Sequence, residues 1–338
     1  MGWLAVLALA LACRPHPKPP TPGDSTNTDT AVVVDSTPPA PDSLEEDACT
    51  SCDTLTAADT LVGLGARPRR LVNASALAIG LTQWPTSKFC TGPLNATMDG
   101  TSPSLLGGVL RAAARCGMRI VTVAPRAMMT QNGETNGLYV VGKAEGVCDA
   151  YASRVQAEHL DTLVRNGTWL GVSMGDDFTN ASVWGGREVT QSQAYDVVTY
   201  CQNKLPDALP IGLRQTPQWI AGSGALASRI DFGWAQWLGK RGDAQTFYDK
   251  AWAVASHYGF KMAGGLNVHS CTAAGADDPC TPSVLKSVGE IAEDHPGISV
   301  FLSWRYDPDD WAKLGPTWAY LAQRAAGKPK RSLLRGAP

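Results

Sequence analysis

The chain reads as an α/β protein: a (β/α)8 TIM barrel with one strand short or irregular. Three observations predict it. From about residue 71, short apolar runs rich in β-branched and aromatic residues alternate with helix-like stretches. The runs are nearly continuous in apolar character, as parallel strands buried on both faces are. The alternating part spans roughly 260 residues, near the ~250 typical of such barrels. A doubly wound dinucleotide-binding sheet fits less well. The first run leads into "LTQWPTSKFC" where a Gly-rich phosphate fingerprint would stand.

The elements follow in order. Residues 1–12 precede Cys13 in "MGWLAVLALALAC", an apolar stretch too short to span a bilayer and shaped like a signal peptide. Ala10-Leu11-Ala12-Cys13 resembles the bacterial lipobox, which implies that Cys13 is lipidated and becomes the mature N-terminus. Residues 13–60 are then a Pro/Thr/Asp-rich linker. It carries too little apolar surface to offset its ordering entropy and reads as a semi-extended tether. The barrel domain is placed at 61–330. Its strand candidates are residues 76–82, 118–125, 168–174, 209–215, 229–236, 260–268 and 298–304. Between them, residues 104–117, 148–167, 190–207, 243–259 and 282–297 read as helices. Several carry apolar residues at three-to-four spacing and stop at Gly or Pro. This yields about seven units, one fewer than the barrel requires. The last residues, 331–338, read as a short solvated basic tail.

Composition narrows the partners. The chain has 338 residues, 44% hydrophobic and 18% charged, with a formal net charge of −2. It therefore lacks the cation excess that phosphate neutralisation requires, and no nucleic acid is expected. Nine cysteines, less Cys13, leave an even eight, which suits an exported protein with disulfides. Cys271 and Cys280 bracket one loop and are expected to bond. Cys90 and Cys148 are expected as a second pair, placed in loops at the same barrel end. "CTSC" at 49–52 follows the linker rather than a strand, so a structural bridge is favoured over a redox motif. No Cys/His spacing resembles a zinc site, and the acidic stretches "GADDP" and "DPDD" lack the spaced oxygen ligands of a calcium loop. The expectation is a monomer with no metal and no cofactor.

In such barrels the active site forms at the C-terminal strand ends. There the runs deliver Trp84, Arg126, Asp176 with Asp177, Arg214, Gln236, Asn267 with His269, and Trp304 with Arg305 and Asp307. Flat aromatics stack on sugar rings, while amides and carboxylates bind hydroxyls. The 11 Trp, several of them near strand ends, fit that chemistry and equally fit core packing.

Two stretches carry a resemblance. "GDDFTNASVWGG", with Trp184-Gly185-Gly186, and "SWRYD" at 303–307 make residues 71–326 resemble the TIM-barrel glycoside hydrolase superfamily. The nearest likeness is to a group of exported bacterial glycosidase-like proteins whose middle strand ends in Asp-Glu-Pro. The resemblance implies hydrolysis of an extracellular or cell-surface glycan by two carboxylates. Asp177, at the Glu position, would be the acid, raised by burial and by Asp176. Asp307 is the nearest late carboxylate and would be nucleophile or base, because no Glu stands near "SWRYDPDDW". The rival reading is a barrel that keeps its aromatics and binds glycan without catalysis.

Overall fold

The computed structural model describes residues 76–272 and 278–335. Strands β1 (Ala78–Thr82), β2 (Ala96–Gly100), β3 (Arg119–Val123), β4 (Trp169–Asp176), β5 (Ile211–Arg214), β6 (Phe232–Trp237), β7 (Lys261–Leu266) and β8 (Ile298–Ser303) pair in parallel. They close in sequence order into a TIM barrel, with β8 against β1. The helices are α1 (Leu106–Cys116), α2 (Val141–Glu158), α3 (Asp161–Arg165), α4 (Gln191–Lys204), α5 (Pro217–Ala221), α6 (Gly224–Arg229), α7 (Ala244–Tyr258), α8 (Pro282–Asp294) and α9 (Pro308–Ala326). The N-terminal segment with Cys13, Cys49 and Cys52 lies outside the described residues.

The strand that the sequence pattern misses is β2. "ATMDG" is short and ends in a turn-like Asp-Gly. It becomes a strand through its neighbours. The Asn95 side chain accepts from Ile79 N (2.7 Å) and donates to Leu77 O (2.9 Å), and Thr97 Oγ1 donates to Leu81 O (2.7 Å). β1 and β3 then complete its ladder on both sides.

Helix ends follow local chemistry. Thr190 and Gln193 form a reciprocal capping box on α4, Thr281 caps α8 ahead of Pro282, and Gly117 closes α1 in the left-handed region. Inside the barrel, alternate residues of the strands pack around Phe232, which is fully buried. A Cβ at Gly212 would lie 2.5 Å from that ring, so the neighbouring strand yields its side-chain space to the aromatic.

Two expectations are corrected here. Cys90 bonds Cys116 and Cys148 bonds Cys201, with Cα–Cα distances of 4.6 and 5.4 Å, so there is no Cys90–Cys148 pair. Cys148 lies on α2 facing α4, while Cys90 lies on the segment returning from β1 to β2, beside the end of α1. Cys271–Cys280 forms as expected. Residues 331–335 are not a solvated tail. Leu333 is 1% exposed and joins the barrel's inner cluster. Arg331 donates to His295 O (2.7 Å) and Ile298 O (2.6 Å), and Arg335 donates to Ala227 O (2.9 Å) and Tyr258 O. Guanidinium groups at helix C-termini satisfy carbonyls that lack intrahelical partners, and Leu333 closes the barrel floor.

Candidate functional site

The site starts with a defect in β4. Ser173 pairs Gly212 and Asp176 pairs Arg214, so β4 takes three steps where β5 takes two. Side chains alternate along a strand, and this extra residue brings Asp176 onto the inward face that it would otherwise miss. Gly175 permits the bend, because a Cβ there would meet the Phe178 ring at 2.1 Å.

Asp176 Oδ2 pairs Arg214 Nη1 at 2.8 Å, with the side chains 12% and 9% exposed. The Arg214 guanidinium lies between two indoles, 4.4 Å from the Trp234 ring centre and 4.6 Å from that of Trp304. A desolvated cation gains from both the ring faces and the carboxylate. Trp234 is itself fixed by its Nε1 donating to Leu302 O at 3.1 Å.

Asp177 differs from its neighbour. Its side chain is 56% exposed, and Oδ2 lies 3.7 Å from Arg126 Nη2. Its φ is +50°, an uncommon conformation for a residue with a Cβ. The backbone is held from two sides. With the Gln215 amide turned so that its oxygen faces these donors, that oxygen accepts from Asp177 N (2.9 Å) and Phe178 N (2.5 Å), and Trp184 Nε1 donates to the Asp176 and Asp177 carbonyls, both at 3.2 Å. Arg126 lies 5.4 Å from the Trp184 ring centre.

Gln236 shares the inward face of β6 with Phe232 and Trp234 and is half-buried. Asn267 follows β7 and is bridged to Trp304; its Oδ1 accepts from His269 N at 3.0 Å. His269 Nδ1 pairs Asp310 Oδ2 at 3.1 Å. The strand ends thus bring Asp176, Asp177, Arg126, Arg214, Gln236, Asn267 and Trp304 to one barrel end.

Other expected residues do different work. Trp84 is 1% exposed, with its ring against Tyr306 (5.1 Å) and Trp311 (4.6 Å), so it packs the wall rather than offering a face. Asp307 caps α9: Oδ1 accepts from Asp309 N (2.8 Å) and Asp310 N (3.2 Å). Arg305 and Asp307 line a crevice of about 10 Å³, room for a single water. A larger cavity of about 370 Å³ opens at the opposite barrel end beside Asp231 and Arg335, and Asp177 lines neither. Two contributors were not singled out from sequence as site residues. Trp234 follows from strand alternation once Phe232 is placed inside, and Trp184 stood in a quoted motif. Gln215, which the sequence delivers just after β5 beside Arg214, acts through the backbone, and no pattern reports that role. Asp99, at the end of β2, went with the missed strand; burial pushes its carboxyl up to about 6 against a backbone hydrogen bond from Gly100.

No protein-family model and no curated protein matches the sequence. Among solved structures, a GH113 beta-1,4-mannanase complex is similar over 74% of this chain and 99% of that one, at 9% identity and TM-score 0.52. The Pseudomonas stutzeri endoglucanase Cel5A is similar over 77% and 97%, at 11% identity and TM-score 0.51. Both share the closed parallel barrel seen here. At these identities the likeness is one of fold, and function has to be argued from the site.

Proposed function

We propose that this glycoside-hydrolase-like barrel is an exported protein that binds an extracellular or cell-surface glycan at its C-terminal rim without cleaving it. One observation carries this reading. The inward positions at the ends of β4 to β8 are Asp176, Arg214, Gln236, Asn267 and Trp304. They include a single carboxylate, and it is tied to Arg214 at 2.8 Å. Glycoside hydrolysis needs a second carboxylate across the scissile bond. The late strand β7 instead ends in an amide, Asn267, which binds hydroxyls but cannot act as nucleophile or base. The partly exposed Trp304, the amides of Gln236 and Asn267, and the Asp177–Arg126 pair supply a stacking surface and hydroxyl partners. Three disulfides among the described residues fit an oxidising, exported setting. The Cys13 lipobox adds membrane attachment to the proposal.

Hydrolysis is the second reading, favoured by the exposed Asp177 carboxylate beside Arg126. It casts Asp177 as acid and Asp307 as nucleophile or base. Its weakness is that the Asp307 carboxylate already accepts two backbone N–H bonds as a helix cap. The two readings separate in one experiment. Polysaccharides and oligosaccharides are tested for binding by calorimetry and for cleavage by reducing-end release, with the parent protein and Asp177→Asn. Binding without release supports the first reading. Release that falls by orders of magnitude in Asp177→Asn establishes the second, and absence of any glycan binding removes both.

A further inference from the structure

The rim contains a residue whose backbone works against its side chain. Asp177 sits at φ +50°, where a Cβ is disfavoured and glycine is not. Such a conformation persists only when its surroundings over-determine it. Here they do: Gln215, 7% exposed, takes both the Asp177 and Phe178 N–H groups, and the Trp184 indole takes the two preceding carbonyls. A glycine at 177 would satisfy every one of these backbone bonds with less strain, because none of them uses the carboxylate. Asp177 therefore contributes something other than the turn. Its carboxylate is more than half exposed and 3.7 Å from the Arg126 guanidinium, which is itself only 9% exposed and lies along the Trp184 ring. Next to this pair, Arg214 is more than nine-tenths buried and has an Nε without a hydrogen-bond partner.

We propose that the Asp177–Arg126 pair recognises a vicinal diol of the glycan, and that Gln215 is the positioning residue that holds Asp177 for it. This rests on the carbohydrate-binding reading above. The carboxylate accepts from one or both hydroxyls, and the guanidinium donates to their oxygens. Neighbouring ring hydroxyls are about one hydrogen-bond length apart, which suits an acceptor and a donor held side by side. Charge-assisted hydrogen bonds of this kind are roughly twice as strong as neutral ones. The pair is pre-formed, so no side-chain search is needed on binding.

The test uses the full chain and a glycan that the parent protein binds, presented intact or after periodate oxidation, which cleaves vicinal diols. Affinity is read by calorimetry and stability by thermal unfolding. The parent is expected to lose at least tenfold in affinity for the oxidised glycan. Asp177→Gly is expected to unfold at the same or a higher temperature while binding at least tenfold more weakly. A merely structural residue would not show that opposite movement. Gln215→Leu is expected to weaken binding, and Gln215→Glu, which keeps the acceptor, to restore most of it. Equal binding of intact and oxidised glycan overturns the proposal while leaving carbohydrate binding standing. Parent-like affinity in Asp177→Gly does the same. Failure of the parent protein to bind any glycan overturns both.

Discussion

Asp176 and Asp177 are neighbours in sequence and opposites in environment. The sequence placed both at the end of an apolar run, and they do stand at the end of β4. It could not tell which would be buried, because that depends on the extra residue in β4 and on Arg214 from another strand. Asp177, expected from sequence to be buried, instead has a side chain that is 56% exposed. The strongly perturbed acid lies elsewhere. Glu293 is fully buried on α8, and burial pushes it up to about 8; Arg324 opposes this and Asp294 adds to it. Its folded value exceeds its unfolded value of 4.5. Between those two points the folded chain keeps a proton that the unfolded chain has lost, so stability falls as pH rises through the window. Each tenfold change in proton affinity corresponds to about 1.4 kcal/mol. Asp99 adds a smaller slope in the same direction below about pH 6. Urea midpoints are expected to drop between pH 5 and pH 8 in the parent and to drop much less in Glu293→Gln. An equal drop in that variant would assign the effect to other groups.

Among the elements, the ones with strong local signals were legible. Apolar periodicity, a helix starting at Pro282 and glycine at the ends of α1 and α7 read directly from sequence. β2 did not, because its pairing is supplied by Asn95 and Thr97 reaching to β1. The Cys90–Cys148 pairing failed for a related reason: Cys148 meets Cys201 because α2 packs on α4, a contact 53 residues apart in sequence. Non-reducing peptide mapping is expected to recover Cys148 with Cys201 and Cys90 with Cys116. The C-terminal segment makes a second test at this scale. Leu333 is 1% exposed and Leu334 is 36% exposed. Leu333→Ala is expected to cost about 2–5 kcal/mol in urea unfolding, and Leu334→Ala about 0.5 kcal/mol or less. Similar values for the two would mean that the barrel floor is not closed by Leu333.

For the whole molecule, the chain enters the barrel at Ala76, which bridges Pro329 at the N-terminal end of the strands. The proposed glycan site lies at the other end, around Arg214 and Trp304. The membrane attachment proposed through Cys13 is testable. Cys13→Ser is expected to move the protein from the membrane fraction to the soluble exported fraction. Retention in the membrane would reject lipidation at Cys13.

The sequence by itself determined the barrel class, the parallel strands and the rim that would carry polar chemistry. These follow from apolar runs, their spacing and where each run stops, all of which are local. Only the tertiary structure decided that Trp84 packs the wall, that Asp307 caps a helix, and that Asp176 pairs with an Arg214 held against two indoles. Each of those outcomes depends on residues from distant strands meeting at closure. A carboxylate's chemistry is set by what surrounds it in space, and no spacing along the chain records that.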